Sequence, residues 1–145
     1  MPAKRKATAV WEHDLVKGSG TVQGASGAIP ILPVTWVART EQSGGKTSPE
    51  ELLAAAHASC FAMAFSATLG RDQHPPEKLT VTAEATFDKV GEAWKVTTMD
   101  LEVVGKVPGI DAAKFSELAA TAEKGCPISN AIRNNVDVRV HARLG

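Results

Sequence analysis

Residues 47–70, TSPEELLAAAHASCFAMAFSATLG, decide the fold of this 145-residue chain. Ser48 can cap a helix that begins at Pro49, and Ser48 together with Glu51 forms an S-x-x-E capping box. After the first turn almost every residue is apolar or small, and Gly70 is a fitting C-terminal stop. The pattern predicts one long helix that is apolar on nearly all sides and therefore buried on most of its faces.

Extended structure is expected before this helix. Residues 8–15 form a strand candidate that contains Trp11, and the glycine–serine stretches 17–20 and 24–27 are typical of turns. The segment TWVAR is rich in β-branched and aromatic residues. It predicts a further short strand, which carries Arg39.

A hairpin is expected after the helix. Residues 79–87 alternate apolar with polar side chains, as a strand with one buried face does. Gly91 indicates a tight turn, and residues 94–104 fit the returning strand. The apolar phase shifts between Val96 and Met99, which predicts a bulge.

Two helices and a strand complete the predicted order. Apolar spacing predicts a helix that Asp111 caps and Gly125 ends, Pro127 can begin a short helix, and residues 136–140 alternate as a strand. We therefore expect an α+β protein, a single domain over residues 1–145, with an antiparallel β-sheet and a long buried central helix. One domain of this size has difficulty covering such a helix, so a homodimer is expected to bury it.

Composition excludes several classes of protein. Sixteen basic and sixteen acidic residues cancel, which disfavours a nucleic-acid partner. No apolar run is expected to reach the ~18 residues of a membrane span, and the N-terminus lacks the apolar core of a secretory signal. The prediction is a cytoplasmic protein with no membrane association. In that compartment two cysteines are more often free, metal-bound or redox-active than a permanent bridge.

The two cysteines differ in their surroundings. Cys60 lies in the apolar helix, where a thiol is usually inert and has a raised pKa. Cys126 lies between Gly125 and Pro127 at the expected start of a helix, where backbone N–H groups favour a thiolate. The residues alone thus indicate that Cys126 is the more acidic thiol, and Cys60 needs a nearby cation to react.

Other interpretations of these residues remain open. His57 and Cys60, together with Cys126, could contribute to a metal site; the spacing allows two ligands from one helix, but a third and a fourth are not evident. His57 also fits a core histidine with a satisfied hydrogen bond, and Glu51 is explained by its capping role. A disulfide–dithiol exchanger would carry a C-x-x-C motif, which this chain lacks.

Several motifs together resemble one family. They are residues 47–61, the segment VPGID at 107–111, the segment AEKGCPIS at 122–129, Trp11-Glu12 and Gly18–Thr21. These stretches are similar to the OsmC/Ohr family of thiol peroxidases, and more to its osmotically inducible OsmC branch. The resemblance runs over nearly the whole chain and includes both cysteines in register.

The resemblance implies an OsmC-like fold, an intertwined homodimer and an enzyme without metal or cofactor. By similarity, Cys60 would be the peroxidatic thiol and Cys126 the resolving thiol. Arg39 would stabilise the Cys60 thiolate, and Glu50 would orient Arg39 through a bidentate pair. The implied activity is reduction of organic hydroperoxides, with a small dithiol or lipoyl-type reductant, in oxidative and osmotic stress defence. The alternative is a non-catalytic member of the same fold that binds an apolar ligand.

Helix geometry constrains the role of Glu50. Glu50 and Cys60 are ten residues apart on the predicted helix, which corresponds to roughly 15 Å along its axis. A straight helix therefore keeps them in different sites, so if Glu50 serves Cys60, either the helix bends or Glu50 comes from a partner chain. We expect Glu50 of one chain to lie near Cys60 of a partner chain across an isologous interface.

Overall fold

The computed structural model describes residues 1–145, which divide into two compact units, Met1–Leu52 and Leu53–Gly145. In the first unit, an antiparallel sheet of order β1-β2-β3 consists of β1 (Ala7–Glu12), β2 (Ser19–Gly24) and β3 (Leu32–Val34). The unit continues with the short helix α1 (Trp36–Thr40) and the first turn of α2 (Pro49–Arg71). Whether residues 1–145 are a single domain stays a prediction.

The expected strand around Arg39 is wrong, because this segment is the helix α1. Thr35 is its N-cap, and the Thr35 hydroxyl accepts a hydrogen bond from the Ala38 N–H at 3.1 Å. The Glu41 N–H closes the other end on the Val37 carbonyl at 2.8 Å. These local hydrogen bonds outweigh the β propensity of the tryptophan and valine.

The long central helix is confirmed as α2, which has 23 residues. At its start the Ser48 hydroxyl accepts a hydrogen bond from the Glu51 N–H at 3.1 Å, which is one half of the predicted capping box. The reciprocal half is absent, since the Glu51 carboxylate instead accepts from the Thr47 hydroxyl at 2.6 Å.

The end of α2 differs from the prediction that Gly70 stops the helix. Gln73 has the left-handed backbone conformation, with φ of 63°. The His74 N–H bonds to the Leu69 carbonyl at 2.9 Å, and the Gln73 N–H bonds to the Gly70 carbonyl at 3.0 Å. This pair of bonds is a Schellman motif, so a glutamine takes the position that glycine usually occupies.

Only one side of α2 is buried by its own chain. His57, Phe61 and Phe65 are fully buried, whereas the opposite side is exposed and carries Ala55, Ala56, Ser59, Met63, Ser66 and Ala67. The expectation of burial on most faces therefore does not hold within one chain. The expectation that no apolar run is long enough for a membrane span is also wrong, because α2 is long and apolar enough for one by length and composition alone. One such helix is weak evidence for a membrane, because core helices of other proteins have a similar length and composition.

The second unit contains the remainder of α2, a three-stranded sheet and two helices. The elements are β4 (Lys78–Val90), β5 (Ala93–Lys106), α3 (Ala112–Gly125), α4 (Pro127–Ile132) and β6 (Asp137–Leu144). The sheet order is β4-β5-β6. As predicted, Asp111 caps α3, with its carboxylate accepting from the Lys114 N–H at 2.8 Å.

The hairpin and its bulge are confirmed, but the direction of the last strand is not antiparallel. Thr86 pairs with Thr98 and Phe87 with Val96, which leaves Thr97 as the extra residue of the bulge. Strand β6 pairs with β5 in parallel. The chain crosses from β5 through α3 and α4 before it re-enters the sheet, and such a crossover returns a strand in the same direction.

The hydrophobic core lies in the second unit, where α2 and α3 cover the sheet. Phe61, Phe65 and Phe115 are fully buried. The ring centroid of Phe65 lies 5.6 Å from that of Phe61 and 5.0 Å from that of Phe115. Met99 and Leu101 of β5 pack in the same cluster. This core fixes the position of α2 and therefore of Cys60.

Gly105 on β5 leaves the space that the Phe115 ring occupies. A Cβ atom at Gly105 would lie 2.4 Å from Cζ of the buried Phe115. We expect Gly105→Ala to lower the free energy of unfolding by about 1–3 kcal/mol through overpacking. Chemical denaturation measures the change. The matched control is Gly70→Ala in α2, where nothing lies within 4 Å of the added Cβ and helix propensity predicts a small gain. Equal losses in the two variants would contradict the prediction.

Candidate functional site

The two cysteines, 66 residues apart in sequence, meet in the second unit. Their Sγ atoms lie 3.4 Å apart, and both thiols are free. Cys126 is fully buried, whereas Cys60 is partly exposed. Since a disulfide has an S–S length of about 2.05 Å, the two sulfurs need to approach by little more than 1 Å to bond. The arrangement is that of a dithiol that can close.

Cys126 is held at the corner between two helices. It is the C-cap of α3 and the N-cap of α4, with Pro127 in the first turn of α4. Its N–H donates to the Glu123 carbonyl at 3.2 Å, and its carbonyl accepts from the Asn130 N–H at 3.0 Å. The predicted position of Cys126 at a helix start is thus confirmed, and both backbone groups of the residue are satisfied.

Cys60 is a thiol rather than a thiolate in the environment of its own unit. Burial raises the pKa of Cys60, the Ile128 backbone N–H partly opposes the rise, and Cys126 adds to it. No cation is among the groups that shift this pKa. These surroundings disfavour the thiolate, which a nearby positive group would favour.

Arg39 and Glu50 form an ion pair in the first unit. The Nε–H of Arg39 donates to both carboxylate oxygens of Glu50, at 2.6 Å and 3.2 Å. The predicted pairing of these two residues is present, and both of these contacts are made by Nε. Glu50 is 7% exposed, and the guanidinium also lies 5.9 Å from the centroid of the Trp36 ring. The pair fixes the position of a cation on α1.

An apolar cavity of about 430 Å³ lies beside this ion pair in the first unit. Arg39 and Trp36 form part of its wall. The other lining residues are Ala9, Trp11, Leu15, Val22, Val34, Thr35, Pro49 and Leu52. A single cation in an otherwise apolar wall suits a ligand with a hydrocarbon body and one polar end.

His57 is a buried hydrogen-bonding residue. Its Nε2 lies 2.7 Å from the Ser129 hydroxyl, and both residues are fully buried. Burial lowers the pKa of His57, and the Glu123 carboxylate partly opposes this shift. The interpretation of His57 as a core histidine with a hydrogen bond fits this geometry. No three His, Cys, Asp or Glu side chains come together in a way that could hold a metal ion.

Sequence reasoning missed Ser129, Glu123 and Arg133. Arg133 spans the Cys126 corner, where its Nη1 lies 3.0 Å from the Glu123 carboxylate and its Nη2 donates to the Glu123 carbonyl at 3.1 Å. One sequence signal could have found Ser129: it follows Cys126 by three residues, and residues three apart on a helix are neighbours.

The fold and the cysteine pair define a class of small α+β proteins in which a long central helix presents one thiol to a second, buried thiol. The chain belongs to the OsmC family: its residues 42–141 match the family described as OsmC-like protein. The resemblance predicted from the motifs is thereby confirmed.

Individual relatives agree with this assignment. The peroxiredoxin OsmC of Escherichia coli (strain K12) is 38% identical over 136 residues, which cover 94% of each chain. An organic hydroperoxide resistance protein of Xanthomonas axonopodis pv. citri (strain 306) is 36% identical over 98 residues, or 66% of each chain.

Solved structures agree in fold. An organic hydroperoxide resistance protein OsmC from Legionella pneumophila superposes with a TM-score of 0.72 at 25% identity, covering 97% of this chain and 98% of that one. The organic hydroperoxide resistance protein OhrB of Bacillus subtilis has a TM-score of 0.73 at 21% identity, covering 95% and 98%. The second likeness is one of fold alone.

Proposed function

We propose that this protein is a thiol peroxidase that reduces organic hydroperoxides in oxidative and osmotic stress defence. One observation carries the proposal: two free thiols, Cys60 and Cys126, lie with their sulfurs 3.4 Å apart in a protein of the OsmC family. The relatives named peroxiredoxin OsmC and organic hydroperoxide resistance protein support the same activity.

Cys60 is the attacking thiol in this proposal. Its thiolate attacks the outer peroxide oxygen, an S–O bond forms and the O–O bond breaks. The departing alkoxide takes up a proton to become the alcohol, and Cys60 is left as a sulfenic acid. Cys126 loses its proton and attacks the Cys60 sulfur, which forms the disulfide and releases water. A small dithiol or lipoyl-type reductant reopens the bridge by exchange.

Arg39 supplies the positive charge that this chemistry requires. A guanidinium beside Cys60 would favour the thiolate against the effect of burial and would stabilise the charge on the departing oxygen. Glu50 anchors Arg39 through the 2.6 Å contact. Because ten residues of helix separate Glu50 from Cys60, we assign the Arg39–Glu50 pair of one chain to the Cys60 of a partner chain.

A homodimer is consistent with the apolar surface that one chain exposes. Met63 on the open side of α2 is 68% exposed. The first unit also exposes large apolar side chains, namely Val10, Trp11, Leu15, Val16, Ile29, Ile31 and Val37. A surface of this kind favours association with a second copy.

The cavity beside Arg39 suits an organic hydroperoxide better than hydrogen peroxide. Its apolar wall would hold the hydrocarbon part of the substrate, while Arg39 interacts with the peroxide end. No metal or cofactor takes part in the proposed reaction. We place the protein in the cytoplasm, where dithiol reductants keep thiols reduced.

A stoichiometric reaction tests the proposal. Reduced protein is mixed with one equivalent of cumene hydroperoxide, and the alcohol and the protein are quantified by chromatography and mass spectrometry. We expect equal amounts of cumyl alcohol and of a peptide pair joined by a Cys60–Cys126 disulfide. Protein alkylated beforehand is the control. Reversible binding of the hydroperoxide without oxidation of either cysteine would instead indicate the non-catalytic, ligand-binding alternative.

A further inference from the structure

A second contact joins α2 to α4 beside the sulfur contact. His57 precedes Cys60 by three residues on α2, and Ser129 follows Cys126 by three residues at the start of α4. The 2.7 Å hydrogen bond between His57 and Ser129 and the 3.4 Å sulfur contact are therefore adjacent, one helical turn apart on each side. The two contacts together join α2 to the start of α4.

We propose that His57 and Ser129 are a positioning pair that sets the register of α4 on α2 and so controls the step in which Cys126 forms the disulfide. The inference rests on the proposed function, since it concerns the second step of that reaction. The pair acts on the closing step and leaves the attack of Cys60 on the hydroperoxide unaffected.

The corner that carries Cys126 needs such a register contact. Helix α4 has six residues and lacks a side-chain cap hydrogen bond. The Glu123–Arg133 contacts span the corner between α3 and α4, and neither residue makes a hydrogen bond to α2. Two polar contacts join α4 to α2. They are the His57–Ser129 hydrogen bond and the contact of the Ile128 backbone N–H with the Cys60 sulfur.

The chemistry of His57 fits a positioning role rather than a charged one. Its Nδ1 is buried without a hydrogen-bond partner. The neutral tautomer with hydrogen on Nε2 leaves only an acceptor unpaired and donates to the Ser129 hydroxyl. Burial lowers the pKa of His57 and so favours this neutral form. A neutral imidazole does not stabilise a thiolate by charge, so a direct effect on the Cys60 thiolate is not expected.

A loose register has a chemical consequence. The Cys60 sulfenic acid and the Cys126 thiol combine to give the disulfide and water, and this requires the sulfurs to approach from 3.4 Å to about 2.05 Å. When closure is slow, a second hydroperoxide oxidises the waiting sulfenic acid to a sulfinic acid. The His57–Ser129 pair therefore protects Cys60 from irreversible oxidation.

Rapid-mixing kinetics on Ser129→Ala and His57→Leu test the inference, with sulfenic acid formation and disulfide closure followed separately. We expect the first step to keep its rate. Closure should slow roughly tenfold, as the loss of one buried hydrogen bond allows. The sulfinic acid fraction at excess hydroperoxide should rise. His57→Gln, which keeps an N–H near the Nε2 position, should restore closure, and the double variant should close no more slowly than either single variant.

Thr68→Val is the matched control. It removes another hydrogen bond of α2, from the Thr68 hydroxyl to the Ala64 carbonyl at 3.0 Å, in a residue that touches neither sulfur. Closure in Ser129→Ala at the wild-type rate would overturn the positioning role, and so would equal slowing in Thr68→Val.

The two proposals fail in distinguishable ways. Closure is also measured with diamide, an oxidant that joins two thiols without a peroxide. If diamide closes the wild type quickly and Ser129→Ala slowly while hydroperoxide oxidises neither, the proposed peroxidase activity is wrong and the positioning role stands. If Ser129→Ala does not fold, the same comparison is made with His57→Leu, and His57→Gln serves as the variant that keeps the bond. Closure of a folded His57→Leu at the rate of the wild type and of His57→Gln overturns the inference.

Discussion

Replacing Cys60 with serine is expected to abolish the reaction with an organic hydroperoxide. A hydroxyl is not ionised at neutral pH and has no sulfur that can be oxidised, so no step of the proposed mechanism can begin. Replacing Cys126 should leave the first step possible, because Cys60 remains and loses only a neighbour that raises its pKa. That variant is expected to perform one turnover and then to accumulate sulfenic and sulfinic acid at Cys60. Single-turnover consumption of cumene hydroperoxide, with mass spectrometry of the protein, measures both results.

Burial decides which variant of Cys126 is the better control. Cys126 is fully buried, so a serine hydroxyl there needs a hydrogen-bond partner, and the Cys60 sulfur that Cys126 contacts would have to serve as one. Cys126→Ala should therefore be examined beside Cys126→Ser, and the two should agree in peroxide consumption. Persistent multiple turnover without Cys126 would show that an external thiol resolves the sulfenic acid, and the 3.4 Å sulfur contact would then have no role in the cycle.

Local sequence signals were sufficient for the central helix and for the hairpin. Ser48, Pro49 and Glu51 define the start of α2 through contacts within one turn, and the alternation of residues 79–87 defines β4. Even the bulge at Thr97 could be read from the shift in apolar phase. Each of these features depends on neighbours a few residues away.

The predictions that were wrong concern features that depend on other parts of the chain or on a competing local hydrogen bond. The segment around Arg39 became helix because the Thr35 hydroxyl caps it, which residue propensity does not register. The direction of β6 depends on the crossover through α3 and α4, and one strand's alternation carries no direction. Helix α2 ends at Arg71 because the hydrogen bonds of a Schellman motif form around Gln73 despite its positive φ.

The candidate site was predictable only in part. The sequence motifs drew attention to Cys60 and Cys126, but the 3.4 Å approach of their sulfurs follows from the packing of α2 against the corner of α3 and α4. Arg133 gave no signal of its own, and Ser129 gave only its spacing of three residues from Cys126. Their roles arise from pairings over 72 and 10 residues, which no local pattern specifies.

Removing the charge of Arg39 is expected to slow the attack of Cys60 on the order of 10²-fold. Arg39→Met keeps an unbranched side chain similar to the aliphatic part of arginine but loses the guanidinium. The proposal places this guanidinium beside the thiolate and the departing oxygen. Because a nearby cation favours the charged form, its loss raises the pKa of Cys60, and burial already acts in the same direction. The pH profile of Cys60 alkylation should move to higher pH, and at neutral pH the thiolate fraction falls. Arg139→Met, which breaks an exposed pair with Asp137, is the matched control and should leave both measurements unchanged.

Mixed dimers separate an arginine that acts across the interface from one that acts within its chain. Arg39→Met and Cys60→Ser are each expected to be almost inactive alone. If Arg39 serves the partner's site, a mixed dimer unites the intact Cys60 of one chain with the intact Arg39 of the other. Random exchange should then restore about a quarter of the wild-type activity per chain, since half of the dimers are mixed and each holds one complete site. An arginine that acts within its own chain restores nothing, and the assignment of the Arg39–Glu50 pair to the partner's Cys60 would then be wrong.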